Sequence, residues 1–128
     1  MTIAVEIAPG ELIDKITILE IKLERISDPR KQANIRLEYE LLTRVRRAEL
    51  PDNPTLQELT SRLKEINGRL WTIEDDIRDL ERAKEFSEPF INLARSVYRT
   101  NDERAAIKRE INELLDSAII EEKSYASY

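Results

Sequence analysis

Leu56, Leu59, Leu63, Ile66, Leu70, Ile73, Ile77 and Leu80 recur at spacings of 3, 4, 3, 4, 3, 4 and 3 through the middle of the chain. That rhythm sets all eight on one side of a single helix, at the 3.5-residue period of a coiled-coil seam. An apolar stripe of this length is stable only under other helices, so the chain has to build a helical bundle. Charged residues make up 37% and aromatics 5%, a balance that suits long helices with solvated outer faces. At 128 residues the expectation is one domain, residues 1–128, all-α, an antiparallel bundle of long helices.

Around the seam the chain divides at its prolines. Ile3, Val5 and Ile7 alternate with polar or small residues, which predicts a short extended N-terminal segment. Either it pairs with the carboxyl tail as a strand or it packs on the bundle as an arm. From Leu12 the period becomes helical: Leu12, Ile16, Leu19, Leu23 and Ile26 form one row, and Ile13, Ile18 and Ile21 make the other flank apolar too. A helix apolar on two sides belongs in the middle. Asp28-Pro29 interrupts it with a good N-cap and a proline suited to a first helical position. Because Ala33, Leu37, Leu41, Val45 and Ala48 keep the earlier register, one long arm kinked near Pro29 is favoured over a hairpin. Leu50-Pro51-Asp52-Asn53-Pro54 is a loop, with Thr55 and Glu58 as a capping box for a helix reaching about Glu85. Ser87-Glu88-Pro89 restarts the chain in a short helix through Phe90, Ala94, Val97 and Tyr98. Thr100 and Glu103 mark a further start before Ile107, Ile111, Leu114 and Leu115.

Composition closes off much chemistry. With no Cys and no His, thiolate nucleophiles, the common general base and ordinary zinc sites are excluded. No metal or cofactor is expected. The net charge of −5 argues against nucleic acid or an anionic membrane as partner. The amino terminus lacks an export signal and charges break every apolar run, so a cytoplasmic protein is expected.

Glu74, Asp75, Asp76 and Asp79 are the densest acidic group and share helix faces that suit one Mg²⁺. Arg78 and Arg82 lie among them, which favours a solvated, charge-balanced face. Arg44, Arg46 and Arg47 form a basic patch explained by a helix carboxyl end. Trp71 reads as a packing anchor, Asn67 and Asn112 as polar register pins between helices, and Gly68 as a point of close helix approach. A ligand site, if present, belongs where Pro9-Gly10 feeds the first helix. There Glu11, Asp14 and Lys15 would meet Lys123, Tyr125 and Tyr128 of the returning tail, around free N–H groups able to hold an anion. The same residues, with Glu121 and Glu122, suit a structural ion-pair and hydrogen-bond network better than a site.

Two resemblances follow from particular strings. Pro9-Gly10-Glu11-Leu12, Asp14-Lys15, Ile18-Leu19, Asn101-Asp102, Arg104-Ala105, Lys108, Glu121-Glu122-Lys123 and Tyr125 resemble a family of small uncharacterised bacterial helical proteins. That likeness implies a shared fold over nearly the whole chain and no activity. Glu11, Ile13, Asp14 and Ile16 echo the first helix of the all-α chorismate mutases, although Thr17 stands where that pattern has a second Asp. The expected function is an interaction or scaffold role, as a homodimer or with another protein. The alternative is a small-molecule enzyme or binder, phosphohydrolase-like or mutase-like, with a polar pocket at the bundle end.

Overall fold

The computed structural model describes residues 1–128 and contains four helices and no strand: α1 (Pro9–Arg25), α2 (Pro29–Glu49), α3 (Pro54–Arg82) and α4 (Glu88–Leu114). Each helix starts with a proline in its first two positions, where the missing N–H is no loss. Asp28 caps α2 by accepting from Arg30 N and Lys31 N at 2.9 and 3.1 Å. Asn53 caps α3 by accepting from Leu56 N at 2.7 Å, so the cap falls on Asn53 and not on the predicted Thr55–Glu58 box. The carboxyl ends of α3 and α4 close in the same way. Lys84 and Asp116 take left-handed φ values of 54° and 52°. Glu85 N then donates to Leu80 O and Ser117 N to Asn112 O, both at 2.9 Å.

The helices form an antiparallel bundle with α1 at its centre. α3 and α4 run antiparallel, joined across by Arg62–Glu110 and Arg69–Glu103. α1 lies on this pair and meets both members, while α2 packs on α1 alone. Ile13 enters the main core with Leu56, Leu59, Leu63, Ile66, Ile107 and Ile111. Leu12, Ile16 and Leu19 are also buried, about 60–120° round the helix axis from Ile13, toward α2.

Two sequence expectations are corrected here, and one alternative left open is decided. α1 and α2 are a hairpin and not a kinked arm: the far end of α2, at Val45 and Glu49, shares a groove with Pro9, Leu12 and Lys15 at the start of α1. The shared register misled because, of the stripe Leu37, Leu41 and Val45, the two leucines lie opposite the half-buried residues of α2 and stay exposed, and only Val45 reaches the groove beside α1. α4 runs unbroken through Thr100; burial of Thr100 against the bundle outweighs the weak helix propensity of Thr100-Asn101-Asp102. Finally, the N-terminal segment is extended but unpaired, lying beside Leu42, Val45 and Ile119.

Only the first half of the long seam is fully covered. Leu56, Leu59, Leu63 and Ile66 are buried, whereas Leu70, Ile73, Ile77 and Leu80 are half-buried. α1 has 17 residues against 29 in α3, so the distal parts of α3 and α4 project beyond it as a two-helix arm. No helix is long and apolar enough to cross a membrane.

Candidate functional site

Gly10, Asp14 and Thr17 follow one another at spacings of four and three along α1 and are all buried, which puts them in one row. That row faces α3 and α4. Asp14, 1% exposed, is the hub. Its Oδ1 accepts from Asn67 Nδ2 and from Arg104 Nε, each at 2.9 Å, and its Oδ2 accepts from Arg104 Nη2. This is the two-pronged guanidinium–carboxylate geometry that makes such pairs strong. Asn67 Nδ2 also donates to Thr17 Oγ1 at 3.0 Å, and Thr17 Oγ1 donates to the Asp14 carbonyl at 2.8 Å. One carboxylate thus ties three helices together.

One turn earlier, Lys108 of α4 spans two acids. Its Nζ lies 2.7 Å from Glu11 Oε2 on α1 and 3.1 Å from Glu121 Oε2 on the tail. At the first turn of α1, Gly10 N donates to Asn112 Oδ1 at 2.8 Å. A Cβ on Gly10 would sit 2.5 Å from the Lys108 carbonyl oxygen and 2.8 Å from Asn112 Oδ1. Only glycine lets the two backbones come this close.

Burial pushes the Asp14 carboxyl up, but the hydrogen bonds from Arg104 and Asn67 and the nearby positive charges outweigh it and hold its pKa below the ordinary value. For Lys108, burial pulls down, and hydrogen bonds to Glu11 and Glu121 more than offset it, leaving the pKa raised. The hydrogen bond to Asp14 likewise raises that of Arg104 against the opposing effect of burial. All three groups are therefore locked in their charged forms at neutral pH. A general acid or base needs a group poised near the working pH, and these are driven the other way.

The residues in this node are largely those of the strings Pro9-Gly10-Glu11, Asp14, Arg104, Lys108 and Glu121. Residues 3–128 match DUF6165, a family of unknown function. The chain belongs to that family. No curated protein and no solved structure matches it. In this DUF6165 member the family match takes in every helix and the whole polar node.

Of the sequence-predicted site residues, Glu11 and Asp14 do meet α4, through Lys108 and Arg104. Lys15 stays on the exposed side, 3.8 Å from Glu11. The tail does return, but along α4, and it reaches the node through Glu121 and not through Lys123 or Tyr125. Lys123 stands over the ring of Tyr125 at 5.9 Å, and Tyr125 is exposed. At the amino end of α1, where an anion was expected, Asn112 Oδ1 accepts the Gly10 N–H. Asn67 and Asn112 act as interhelical pins, as their sequence positions suggested. Gly68 does not mark a close approach: nothing lies within 4 Å of where its Cβ would be. Glu74 and Asp79 are spent on Arg78 and Arg82, both at 3.2 Å on an exposed face. Arg104, Lys108 and Thr17 were missed. The available signal was the row Arg104, Lys108, Asn112 at spacings of four, matching the row Gly10, Asp14, Thr17 on α1.

Proposed function

We propose that this protein is a cytoplasmic interaction or scaffold module that works as a homodimer, and not an enzyme. The observation that carries the reading is the pair of apolar faces left bare on a bundle whose buried polar side-chain atoms, Thr43 Oγ1 apart, have hydrogen-bond partners. α2 has no buried residue, and Leu37 and Leu41, on the side opposite its half-buried Ile35, Tyr39 and Leu42, are exposed. The row on α4 that meets α1 continues into Ala94 and Phe90 on the projecting arm, which are only half-buried. Exposed apolar stripes on both sides of a small bundle mark contact surfaces.

The charges of the two faces complement each other. α2 carries six Arg and Lys against three Glu, whereas residues 73–91 of the arm carry seven Asp and Glu against three Arg and Lys. α1 lies between α2 and the α3–α4 pair, so a second copy related by a twofold axis, antiparallel to the first, seats its α2 beside α1. Its arm then lies on α2 of the first copy. The contact is isologous and closed, as a twofold dimer requires, and opposite charge sets its orientation.

A small-molecule site at the bundle end would need polar side chains converging on an open pocket. Here Asp14, Arg104, Lys108 and Glu11 are consumed by one another, which supports the interaction reading. Light scattering at micromolar concentration tests it. The 15.0 kDa chain should give twice that mass, and Leu37→Glu with Leu41→Glu should give monomers with unchanged circular dichroism. A wild-type monomer sinks the proposal.

A further inference from the structure

After Leu115 the chain turns at Asp116 and runs back along α4 as an extended strap. Its contacts are matched pairs of charges. Lys108 meets Glu121 at 3.1 Å and the adjacent Arg109 meets Glu122 at 3.4 Å. Further along, Tyr128 donates its hydroxyl to Asp102 at 2.8 Å and packs edge-on against Tyr98. Consecutive cations on a helix thus hold consecutive glutamates on an extended chain.

Three features distinguish this strap from a structural element. No residue after Leu115 is buried, so the strap adds nothing to the core, and apart from the buried Lys108 the charged and polar partners that hold it, Arg109 and Asp102, are exposed and contribute little each. Lys108 keeps Glu11 at 2.7 Å from within the bundle, so lifting Glu121 leaves no buried charge without a partner. Between the strap and α4 lies a cleft of about 160 Å³, lined by Ala105, Ala106, Lys108 and Arg109 with Asn112 on α4 and by Glu121 and Lys123 on the strap. The small alanines leave a groove that the tail bridges without filling.

We propose that this groove on α4 is a binding site for an extended acidic segment of a partner protein, and that Glu121-Glu122 is a built-in competitor that occupies it. The site reads two adjacent carboxylates through Lys108 and Arg109, with Asn112 at the groove edge. The strap swings on the turn at Asp116 and is displaced when the partner segment docks. This site is separate from the faces of α2 and the arm, and it stands whether or not the protein dimerises.

The test uses the full-length chain and a fluorescent peptide with the sequence of residues 117–128, followed by anisotropy. A short tether gives the strap an effective concentration on the order of 1 mM, so a peptide with a Kd of about 0.1 mM should bind about tenfold more weakly to wild type than to a chain whose strap is disarmed. Glu121→Gln with Glu122→Gln disarms it at exposed positions that leave the helices intact. The expected result is about tenfold tighter binding by that variant, weakened by salt and lost when the peptide's two glutamates are replaced by Gln. Adding Arg109→Ala to the variant should reduce binding severalfold. Equal affinity for wild type and variant, no binding to the variant, or undiminished binding of the Gln peptide would each overturn the proposal.

Discussion

Asp14→Asn isolates what the central carboxylate does, because it keeps the shape of the side chain and removes only the charge and one acceptor. In the wild type Asp14 accepts three side-chain hydrogen bonds from two helices. The amide keeps one oxygen, which continues to accept, but its NH₂ group confronts Arg104 donor to donor. Removing one partner of a buried ion pair costs roughly 3–5 kcal/mol. The Arg104 side chain is 29% exposed and regains part of its hydration, which puts the expected loss near the lower end, about 3 kcal/mol. With a urea slope of about 1.5 kcal/mol per molar, the unfolding midpoint should fall by about 2 M. Arg104→Gln alone should cost at least as much, since it strands a carboxylate that is 1% exposed. The double variant should cost about 2 kcal/mol less than the sum of the two, the signature of direct coupling. A midpoint shift under about 0.7 M for Asp14→Asn, or strict additivity, would refute the claim that this pair holds α1 to α4.

Acid should act through the same group. Its folded pKa is lowered, so its contribution is complete above the unfolded value of about 3.9 and is lost as pH falls through the lowered one. Wild-type stability should therefore drop on acidification below about pH 4, and Asp14→Asn should show a shallower drop in urea titrations there. The two glycines should respond with opposite signs in thermal unfolding. Gly10→Ala collides with the α4 backbone and should lose about 2–3 kcal/mol, whereas Gly68→Ala meets open space and should gain up to about 1 kcal/mol from helix propensity. Lys84→Gly relieves a left-handed residue at the end of α3 and should stabilise by about 0.5–1 kcal/mol, read as a rise in urea midpoint.

The sequence exposed the bundle because apolar period is local. The seam of α3 and the two-sided apolarity of α1 can be read residue by residue, and so can the caps at Asp28 and the break at Pro51. Asn67 and Asn112 could be flagged because a polar residue beside an apolar row has to meet something. Their partners could not. Asp14 and Arg104 are 90 positions apart, and their meeting depends on how α1 lies across α4, which no local pattern encodes. The errors have the same origin. The register shared across Pro29 said nothing of which side of α2 would be covered. Thr100-Asn101-Asp102 carries the signals of a helix start, but tertiary burial of Thr100 overrides them. Gly68 looked like a contact point only because glycine in a helix invites one, and the real close approach belongs to Gly10.

The arrangement of contacts also sets an order of assembly. α3 and α4 are neighbours in sequence across a five-residue turn, residues 83–87, so their pairing closes a short loop and should form early. α1 is made first, yet its two anchors come from the other end of the chain: Gly10 waits for Asn112, 102 positions on, and Asp14 for Arg104. On the ribosome α1 and α2 emerge ahead of both helices that cover α1 from the other side. The apolar side of α1 that carries Ile13 gains its first cover from Leu56, Leu59, Leu63 and Ile66 of α3, and is closed only when Ile107 and Ile111 of α4 follow. The helix that ends up most enclosed is thus the one whose set of partners is completed last.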